Sequence, residues 1–439
     1  MSEQTGEVTL VQAVAIEVGL IVGGALFSLT GVAVGIAGPG VVVAFVLAFS
    51  IAILGLVPTA MLGAAFPTTG GNYRYPARFV SRPIAFLAAW GLGVSMFGGG
   101  LPLYALTAGQ YVDAIVPVAP TLVGVLLLSG FFVVNLVGIR PAATVQLVMF
   151  VGLIAALGSF VVLGVPAVET ANLTPAFPSG AIGVATAAGV LYFVCLGANF
   201  VVDIGGSVRD ATVTIPRSFA ITVPLVLAVY VGIGLVAVGV AGTDALAGET
   251  LAVPAGMFLP GPLQSVFVVG GALFAIATSI NAVYIITPRY LAVLAEDGLV
   301  PSGLARTNSR FDTPHWGLVV VYALSTAALL SPLPIAGLGS LLGFGGAFLV
   351  VPVMAAAIVV GRTRAETAES AIGLPAQSVT AMAALAIPCN LALLGLLAVQ
   401  SPSVFALWAG LLAAGGLYYV FRTRIRTRAA DSVHETPNS

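Results

Sequence analysis

Two short glycine-containing stretches stand inside long apolar runs of this chain, and both have a composition that interrupts a helix. The first is GGALF at residues 23–27, with Gly19 and Gly31 about one turn away on either side. The second is GAN at residues 197–199, followed by a glycine pair at 205–206. A helix that breaks in apolar surroundings exposes backbone groups that must find partners. Both stretches therefore predict a functional site.

The chemistry of such a break is the binding of charged groups by backbone. The half-helix that begins there presents N–H groups and a positive dipole end, here near residues 24–26. Carbonyls and the negative dipole end face it, near Ile21 in the first stretch and near Phe193 and Leu196 in the second. A zwitterion carries one carboxylate and one ammonium group and fits between them. The candidate binding residues are Ile21, Gly23, Gly24, Ala25, Leu26, Phe193, Leu196, Gly197 and Asn199.

The elements that position these residues must be membrane helices. Of the 439 residues, 59% are hydrophobic and 7% are charged, and mean hydropathy is +1.12. A spanning helix needs about 20 mostly apolar residues, and twelve runs, numbered here as spans 1 to 12, approach that length. They cover residues 12–37, 41–66, 83–112, 118–138, 142–165, 180–204, 217–241, 263–290, 315–331, 335–360, 378–399 and 402–421. We predict an all-α integral membrane protein with the lipid bilayer as its solvent.

Positive charge is distributed asymmetrically along this chain. All fifteen basic residues are arginines, and with a cytoplasmic N-terminus all of them fall on the cytoplasmic side. The positive-inside rule then places both termini in the cytoplasm. The net charge of −1 gives no basic field for nucleic acid. We expect a multi-pass protein of the cytoplasmic (plasma) membrane without a nucleic-acid partner.

The spans hold no arrangement typical of an active site or a resident metal. His315 lies at a span edge and His434 in the polar tail, while Cys195 and Cys389 lie inside apolar runs, where a thiol acts as a small hydrophobe. We therefore expect no enzymatic activity, no bound metal and no cofactor.

Four motifs cover most of the chain. They are VGLIVGGALFSLTGVAVGIAGPG at 18–40, AAFPTTGGNYRYP at 64–76, LYFVCLGANFVVDIGGSVRDATVTIPRSF at 191–219 and NAVYIITPRYLAVLAEDGLVPSGLARTNSRFDTP at 281–314. In this order they resemble the amino acid-polyamine-organocation superfamily of permeases, which has the fold of the leucine transporter. The resemblance implies alternating access, with spans 1–5 and 6–10 as a 5+5 inverted repeat, spans 1 and 6 discontinuous, and spans 11 and 12 outside the repeat.

The resemblance also divides the chain and gives roles to residues. The divisions are a cytoplasmic N-terminus at 1–11, a first repeat at 12–165, a second repeat at 166–360, spans 11 and 12 at 361–421, and a cytoplasmic tail at 422–439. Residues 23–25 match the family's carboxylate-binding break, and Phe193 matches the aromatic residue that covers bound substrate. Asn199 stands where many members have an acidic residue. Because no arginine lies at mid-depth either, we expect a neutral amino acid as substrate.

A sodium site is one candidate for coupling. Hydroxyl groups at Thr278 and Ser279, with Ala275 one turn before, resemble the set that holds sodium in coupled members of the wider fold. Carbonyls near Gly19 and Val22 would complete five oxygens, which suits a hard cation. The alternative is that these hydroxyls bond their own helix, as serine and threonine often do in spans.

A proton is the other candidate for coupling. Glu17 lies two turns before the first break, where an ionisable group is a proton carrier or, alternatively, a hydrated or arginine-paired group near the cytoplasmic interface. Asp203 lies within reach of Arg209, and we expect a gate or structural pair there. The sequence thus predicts a secondary transporter coupled to sodium or protons. An amino acid exchanger without ion coupling, and a channel or transport-inactive nutrient sensor, are the alternatives.

Overall fold

The computed structural model describes residues 6–113 and 116–434, with the backbone alone at residues 25, 28, 193, 194, 336 and 425–434. Eighteen α-helices form this part of the chain, and the pairing of extended backbone is limited there to two isolated bridges, Val8 with Val208 and Thr69 with Ile204. Residues 1–5 and 435–439, which belong to the predicted terminal segments, lie outside the described residues. The prediction of an all-α protein is confirmed.

The helices of the first five spans follow the predicted runs closely. They are α1 (Leu10–Ile21) and α2 (Gly24–Ala37) in span 1, α3 (Val41–Ala65) in span 2, the short α4 (Gly71–Phe79), α5 (Arg82–Ser95) and α6 (Leu101–Asp113) in span 3, α7 (Pro120–Leu136) in span 4 and α8 (Ile139–Gly164) in span 5. Pro at the first turn of α5 and α7 suits a helix start, where its missing N–H group leaves no bond unmade.

The remaining seven spans complete the bundle. They are α9 (Gly180–Cys195) with a 3-10 segment (Leu196–Asp203) in span 6, α10 (Ala211–Leu246) in span 7, the short α11 (Ala252–Phe258), α12 (Gly261–Val266) and α13 (Phe274–Glu296) in span 8, α14 (His315–Leu329) in span 9, α15 (Ile335–Thr363) in span 10, the short α16 (Ala365–Ile372), α17 (Ala376–Gln400) in span 11 and α18 (Pro402–His434) in span 12.

Length and hydropathy agree with a multi-pass membrane protein. Among the described residues, nine helical stretches are long and apolar enough to cross a bilayer, and three shorter apolar helices accompany them: Leu10–Ile21, Pro120–Leu136 and His315–Leu329. The helix of span 12 runs on to His434, beyond its predicted end at 421. The sequence between those points has no glycine or proline that would end it.

Irregular segments recur five spans apart. Span 3 contains a π-helical segment at Met96–Gly100, and span 8 contains one at Phe267–Leu273. A short helix follows span 2 as α4 and span 7 as α11, and spans 1 and 6 are both irregular near the middle. This recurrence supports the predicted relation between spans 1–5 and 6–10.

Helix α1 lies at the centre of the bundle, which is why its irregular end can serve as a site. It packs against α8, α10, α13 and the 3-10 segment of span 6. Eight of its twelve residues are buried, and they include residues on all sides of the helix. By contrast, α17 and α18 expose apolar side chains such as Val399 and Leu417, as expected for helices that face lipid.

Candidate functional site

The predicted break in span 1 is present at the predicted residues. Helix α1 ends at Ile21, residues 22–23 are not helical, and α2 begins at Gly24. The N–H of Leu26 donates to the Gly23 carbonyl at 3.0 Å within the first turn of α2. Leu26 was predicted to offer its N–H to a carboxylate, and in this structure that group is already bonded. The start of α2 nevertheless lies where the sequence predicts an anion site.

Close packing against span 8 explains the glycines at the break. A Cβ atom on Gly23 would overlap Ser279 Oγ, and one on Gly24 would lie 2.8 Å from Ile276 Cγ1 and 3.5 Å from Tyr104 Cδ1. The backbone angles of Gly23 are φ −66° and ψ −166°, which other residues also adopt. Glycine is required here because there is no room for a Cβ atom, and not because the backbone conformation is unusual.

Span 6 does not break at Gly197 but tightens there. The α-helix ends at Cys195 and continues as a 3-10 helix through Leu196–Asp203. A Cβ on Gly197 would lie 2.6 Å from the backbone nitrogen of Ile21, so spans 1 and 6 cross in direct backbone contact. Leu196 is buried in the same segment. The predicted binding stretches of the two spans thus meet.

Asn199 has the environment of a ligand-binding group. Its side chain is 4% exposed, and its Oδ1 has no hydrogen-bond partner among the described residues. Its backbone carbonyl accepts from Asn72 Nδ2 at 3.0 Å. A buried amide oxygen without a partner is a costly arrangement that a bound donor would relieve.

Two predicted binding residues are described only in part. Ala25 lies in α2 and Phe193 in α9, and both side chains are outside the described residues. The covering role that the resemblance gives to Phe193 stays a prediction.

Tyr230 of span 7 was missed by sequence reasoning. Its buried hydroxyl donates to the Ile21 carbonyl at 2.6 Å, across 209 residues of chain. That carbonyl ends α1 and was predicted to accept from a substrate ammonium group. A carbonyl oxygen has two lone pairs, so one of them stays with Tyr230 and one serves the predicted role. The only sequence signal was a phenol inside an apolar run.

The predicted sodium ligands bond one another in this structure. Ser279 Oγ donates to the Gly19 carbonyl at 2.6 Å, and Thr278 Oγ1 donates to the Ala275 carbonyl at 2.7 Å. The bond of Thr278 is within its own helix, which was the alternative interpretation of this pair. Val22 is buried beside them at the end of α1. The bond of Ser279 to the Gly19 carbonyl holds span 1 against span 8.

A second polar network ties α1 to spans 4, 5 and 8. Gln146 Nε2 donates to the Ala15 carbonyl at 3.1 Å, Asn281 Nδ2 donates to Gln146 Oε1 at 2.9 Å, and Asn135 Nδ2 donates to Asn281 Oδ1 at 2.8 Å. All three amide side chains are buried. A Cβ on Gly19 would overlap Gln146 Nε2, so glycine is required at this contact as well.

Glu17 is buried completely rather than hydrated. Its Oε1 lies 2.6 Å from Ser218 Oγ, and its Oε2 has no hydrogen-bond partner among the described residues. The two ion pairs among the described residues, Arg74 with Glu296 and Arg140 with Glu7, do not include Glu17. The expectation of a hydrated or arginine-paired group at the cytoplasmic interface is therefore wrong, because α1 turns this residue toward α10.

Asp203 binds Asn72 and not Arg209. Its Oδ1 accepts from the backbone N–H of Asn72 at 2.8 Å, and its Oδ2 accepts from Asn72 Nδ2 at 2.7 Å. Arg209 instead donates to the Gly6 carbonyl at 3.5 Å. The predicted pair is wrong because the 3-10 segment directs Asp203 to the start of α4, where N–H groups attract an anion.

Contacts among arginine-bearing segments gather them at one end of the bundle. The arginines concerned follow spans 2, 4, 6 and 10 or lie in the polar part of α18, and each contacts another of these segments, the loop after span 8 or the N-terminal segment. The contacts are Arg74 with Glu296 at 2.8 Å, Arg140 with Glu7 at 3.3 Å, Arg209 with Gly6, Arg422 with the Gly298 carbonyl at 3.2 Å, and Arg364 with the Phe66 and Phe79 rings. This is the charge asymmetry that the sequence predicts.

Comparison with known proteins agrees with this architecture. A family model described as amino acid permease matches residues 8–421. An uncharacterized transporter of Mycobacterium tuberculosis is 29% identical over 340 residues, which is 76% of this chain and 76% of that protein. A branched-chain amino acid permease of Bacillus subtilis is 24% identical over 365 residues, 76% of this chain and 77% of that protein.

A third relative carries a different substrate in its name. The methylthioribose transporter of Bacillus subtilis is 25% identical over 317 residues, 68% of each chain. The matched family and the named relatives are permeases and transporters rather than enzymes. With nearly the whole chain covered by the family model, this protein belongs to the amino acid permease family.

Proposed function

We propose that this chain is a secondary active transporter that moves neutral amino acids across the cytoplasmic membrane by alternating access. The observation that carries the proposal is the break of α1 and α2 where span 1 crosses span 6. Backbone N–H groups at the start of α2 bind the substrate carboxylate, and carbonyls at the end of α1 bind its ammonium group.

The side chains around the break support a neutral substrate. Those in contact with it are Tyr104, Tyr230, Ile276 and Ser279, and none of these is charged. Asn199 adds a neutral amide where an acid would favour a cationic side chain. A charged substrate side chain would lose several kcal/mol of hydration without a partner here.

Uptake into proteoliposomes tests this proposal. The panel contains labelled leucine, valine, alanine and glycine as neutral amino acids, lysine and glutamate as charged ones, and methylthioribose, which a relative's name supports as the alternative. We expect saturable uptake of a neutral amino acid and none of lysine or glutamate. Uptake of methylthioribose alone, or of a charged amino acid in preference, would contradict the proposal.

Ion coupling has two candidate sites, and different observations bear on each. The oxygens of Gly19, Ala275, Thr278 and Ser279 lie together at the junction of spans 1 and 8, which supports a cation there, although they bond one another in this conformation. Glu17 supports a proton, because a carboxyl group buried without a cation carries a high cost when ionised.

Hydrogen-bond counting adds to the case for Glu17. Ser218 Oγ lies 2.6 Å from Glu17 Oε1 and 2.9 Å from the Ile215 carbonyl, yet a hydroxyl has a single proton to donate. Both contacts are satisfied when the carboxyl group donates to Ser218 and Ser218 donates to Ile215. The geometry therefore suits a carboxyl group that carries a proton.

Separately imposed sodium and proton gradients distinguish the two sites. Thr278→Ala removes a hydroxyl from the first, and Glu17→Gln keeps hydrogen bonding at the second but removes the exchangeable proton. Thr59→Ala is the matched control, since Thr59 is buried and donates to the Gly55 carbonyl of its own helix. Sodium-driven uptake lost in Thr278→Ala alone, or proton-driven uptake lost in Glu17→Gln alone, identifies the coupling site.

The same assay tests the alternative functions. Uptake that requires an internal counter-substrate and neither gradient would identify an exchanger and remove both coupling sites. Flux that never exceeds the imposed substrate gradient would identify a channel. Binding without any flux would identify a transport-inactive sensor with a permease fold.

A further inference from the structure

A small cavity lies beside the break, between spans 1, 3, 6 and 8. Its volume is about 20 Å³, room for one water-sized group. The wall is mostly apolar, with Leu20 from α1, Phe97 from span 3 and Phe200 from span 6. Its polar side chains are Asp203, Thr287 and Tyr290. A carboxylate therefore faces a space sized for a single polar group.

Asp203 has acceptor capacity that the protein leaves unused. It is fully buried, and its two oxygens accept one bond each from the neutral N–H groups of Asn72. A carboxylate offers about four lone-pair sites. The two ion pairs among the described residues, Arg74 with Glu296 and Arg140 with Glu7, do not reach it. Asp203 is thus a buried acid without a counter-cation.

Tyr290 provides a second, independent sign of a ligand. Its side chain is 3% exposed, and its hydroxyl has no hydrogen-bond partner among the described residues. It lines the same small cavity as Asp203. Thr287, one turn earlier on α13, already donates to the Val283 carbonyl at 2.7 Å. The wall of one cavity thus holds an acid without a counter-cation and a phenol oxygen without a partner among the described residues.

The cavity lies between the predicted substrate site and the charged end of the bundle. Leu20 directly precedes the last residue of α1, so the cavity begins where the break begins. On the other side of Asp203, Asn72 lies in the first turn of α4. Arg74 of the same helix and Glu296 at the end of α13 line a larger cavity of about 650 Å³. Asp203 thus lines the cavity at the break and bonds α4, the helix that lines the larger cavity.

We propose that Asp203 and Tyr290 form a second binding site for the ammonium group of the substrate on its way to the cytoplasm. The site rests on the proposed amino acid transport, and an ammonium group supplies N–H donors for the spare lone pairs of the Asp203 carboxylate and for the Tyr290 hydroxyl oxygen. An ammonium group also brings the positive charge that the Asn72 amide lacks, so its bond to the Asp203 carboxylate is an ion pair as well as a hydrogen bond. The ammonium group therefore displaces Asn72 from Asp203.

Displacement of Asn72 links substrate arrival to the opening of the cytoplasmic side. Asn72 and Gly70 are the residues that bond the start of α4 to Asp203, Gly70 through its N–H to the Asp203 carbonyl at 2.9 Å. When the side chain of Asp203 turns to the ammonium group, the start of α4 loses two of its four bonds to span 6 and keeps those of Gly70 to the Asp203 carbonyl and of Asn72 to the Asn199 carbonyl. The start of α4 therefore loosens only after the substrate has bound at Asp203.

Transport and binding of the best neutral amino acid test the site in three variants. Tyr290→Phe removes one unpaired oxygen, Asp203→Asn removes the charge but keeps an acceptor for the Asn72 backbone, and Thr287→Val is a control in the same wall whose hydroxyl is already bonded. We expect Tyr290→Phe and Asp203→Asn to bind substrate within about threefold of the unmodified protein and to transport it at least about tenfold more slowly. We expect Thr287→Val to bind and transport the substrate as the unmodified protein does.

Cytoplasmic labelling provides the readout that a purely structural role would not change. Ala77→Cys on α4, in a background without Cys195 and Cys389, reacts with an impermeant thiol reagent from the cytoplasmic side. We expect substrate to raise this labelling in the parent and not in Tyr290→Phe, which leaves every recorded bond of Asp203 intact. If Asp203 only holds α4, Tyr290→Phe keeps the substrate effect and full transport, and the proposal is overturned.

The outcomes separate this site from the proposed function. Absence of amino acid binding and uptake in the unmodified protein would refute the transport function itself. Normal uptake that is unchanged in both Tyr290→Phe and Asp203→Asn would refute the second site alone and leave a water-binding cavity. If Asp203→Asn fails to fold, Tyr290→Phe decides, since removal of an unpartnered hydroxyl leaves Tm unchanged or higher.

Discussion

At the scale of single residues, the shape of the site depends on glycines, which have no side chain. Gly23 brings its backbone against Ser279 and leaves the serine oxygen free to reach the Gly19 carbonyl. Gly197 does the same for the crossing of span 6 over Ile21. Small residues let membrane helices approach closely, and here the approach exposes helix ends to the centre of the bundle. The glycines therefore shape the site through their backbone, without contributing a side chain.

Gly23→Ala should abolish transport while the protein still folds. The added methyl group overlaps Ser279 Oγ and forces spans 1 and 8 apart, at a cost of about 1–3 kcal/mol. We expect a loss of at least about tenfold in uptake, with a lower Tm. Gly158→Ala is the control, because nothing lies within 4 Å of its Cβ position. Equal loss in both variants would show that close packing at the break is not special.

At the scale of elements, side chains from three other spans donate hydrogen bonds to carbonyls of α1. Span 7 contributes Tyr230, span 8 contributes Ser279, and span 5 contributes Gln146, each through a bond to an α1 carbonyl. A break of this kind would leave buried carbonyls unpaired without such partners. The end of α1 is thus held rigidly enough to present its remaining backbone groups to a substrate.

Tyr230→Phe tests how much this support matters. Loss of the bond to the Ile21 carbonyl should lower the free energy of unfolding by about 1–3 kcal/mol, visible as a lower Tm in detergent. Tyr284→Phe is a matched control, because Tyr284 is also buried and its hydroxyl has no partner among the described residues. A Tm that falls equally in both variants would contradict a specific role of Tyr230.

The limits of sequence-based prediction are clearest at this scale. Apolar run length and glycine pairs were sufficient for the spans and for the break at Gly23, since both signals are local. The partners of the break were not predictable, because Tyr230 and Gln146 are distant in sequence and meet it only through packing. Asp203 was paired with Arg209 for the same reason: proximity along the chain does not show which way a 3-10 segment turns.

At the scale of the whole molecule, two similar contacts close opposite parts of the bundle. The N–H of Gly70 donates to the Asp203 carbonyl in span 6, and the N–H of Gly248 donates to the Gly31 carbonyl in span 1, at 3.0 Å. Both glycines have left-handed backbone, with φ of 71° and 77°, and they follow spans 2 and 7. With the π-helical segments of spans 3 and 8, this recurrence is what an inverted repeat predicts.

The orientation in the membrane is a prediction from the distribution of arginines, and it can be measured directly. Arg78→Cys and Glu249→Cys, each in a background without Cys195 and Cys389, place single exposed thiols at the arginine-rich end and near Gly31. Positive charge on the cytoplasmic side predicts that an impermeant reagent added to intact cells labels only the thiol at 249. Labelling of the thiol at 78 under these conditions would reverse the topology.

The central claim is that backbone at the break of span 1 recognises both charged groups of an amino acid, and inhibition of labelled leucine uptake measures this most directly. The competitors are leucine, leucine methyl ester, which lacks the carboxylate, and 4-methylpentanoate, which lacks the ammonium group. We predict that only intact leucine inhibits at concentrations near its KM. Equal inhibition by either analogue would contradict recognition of the zwitterion at the break.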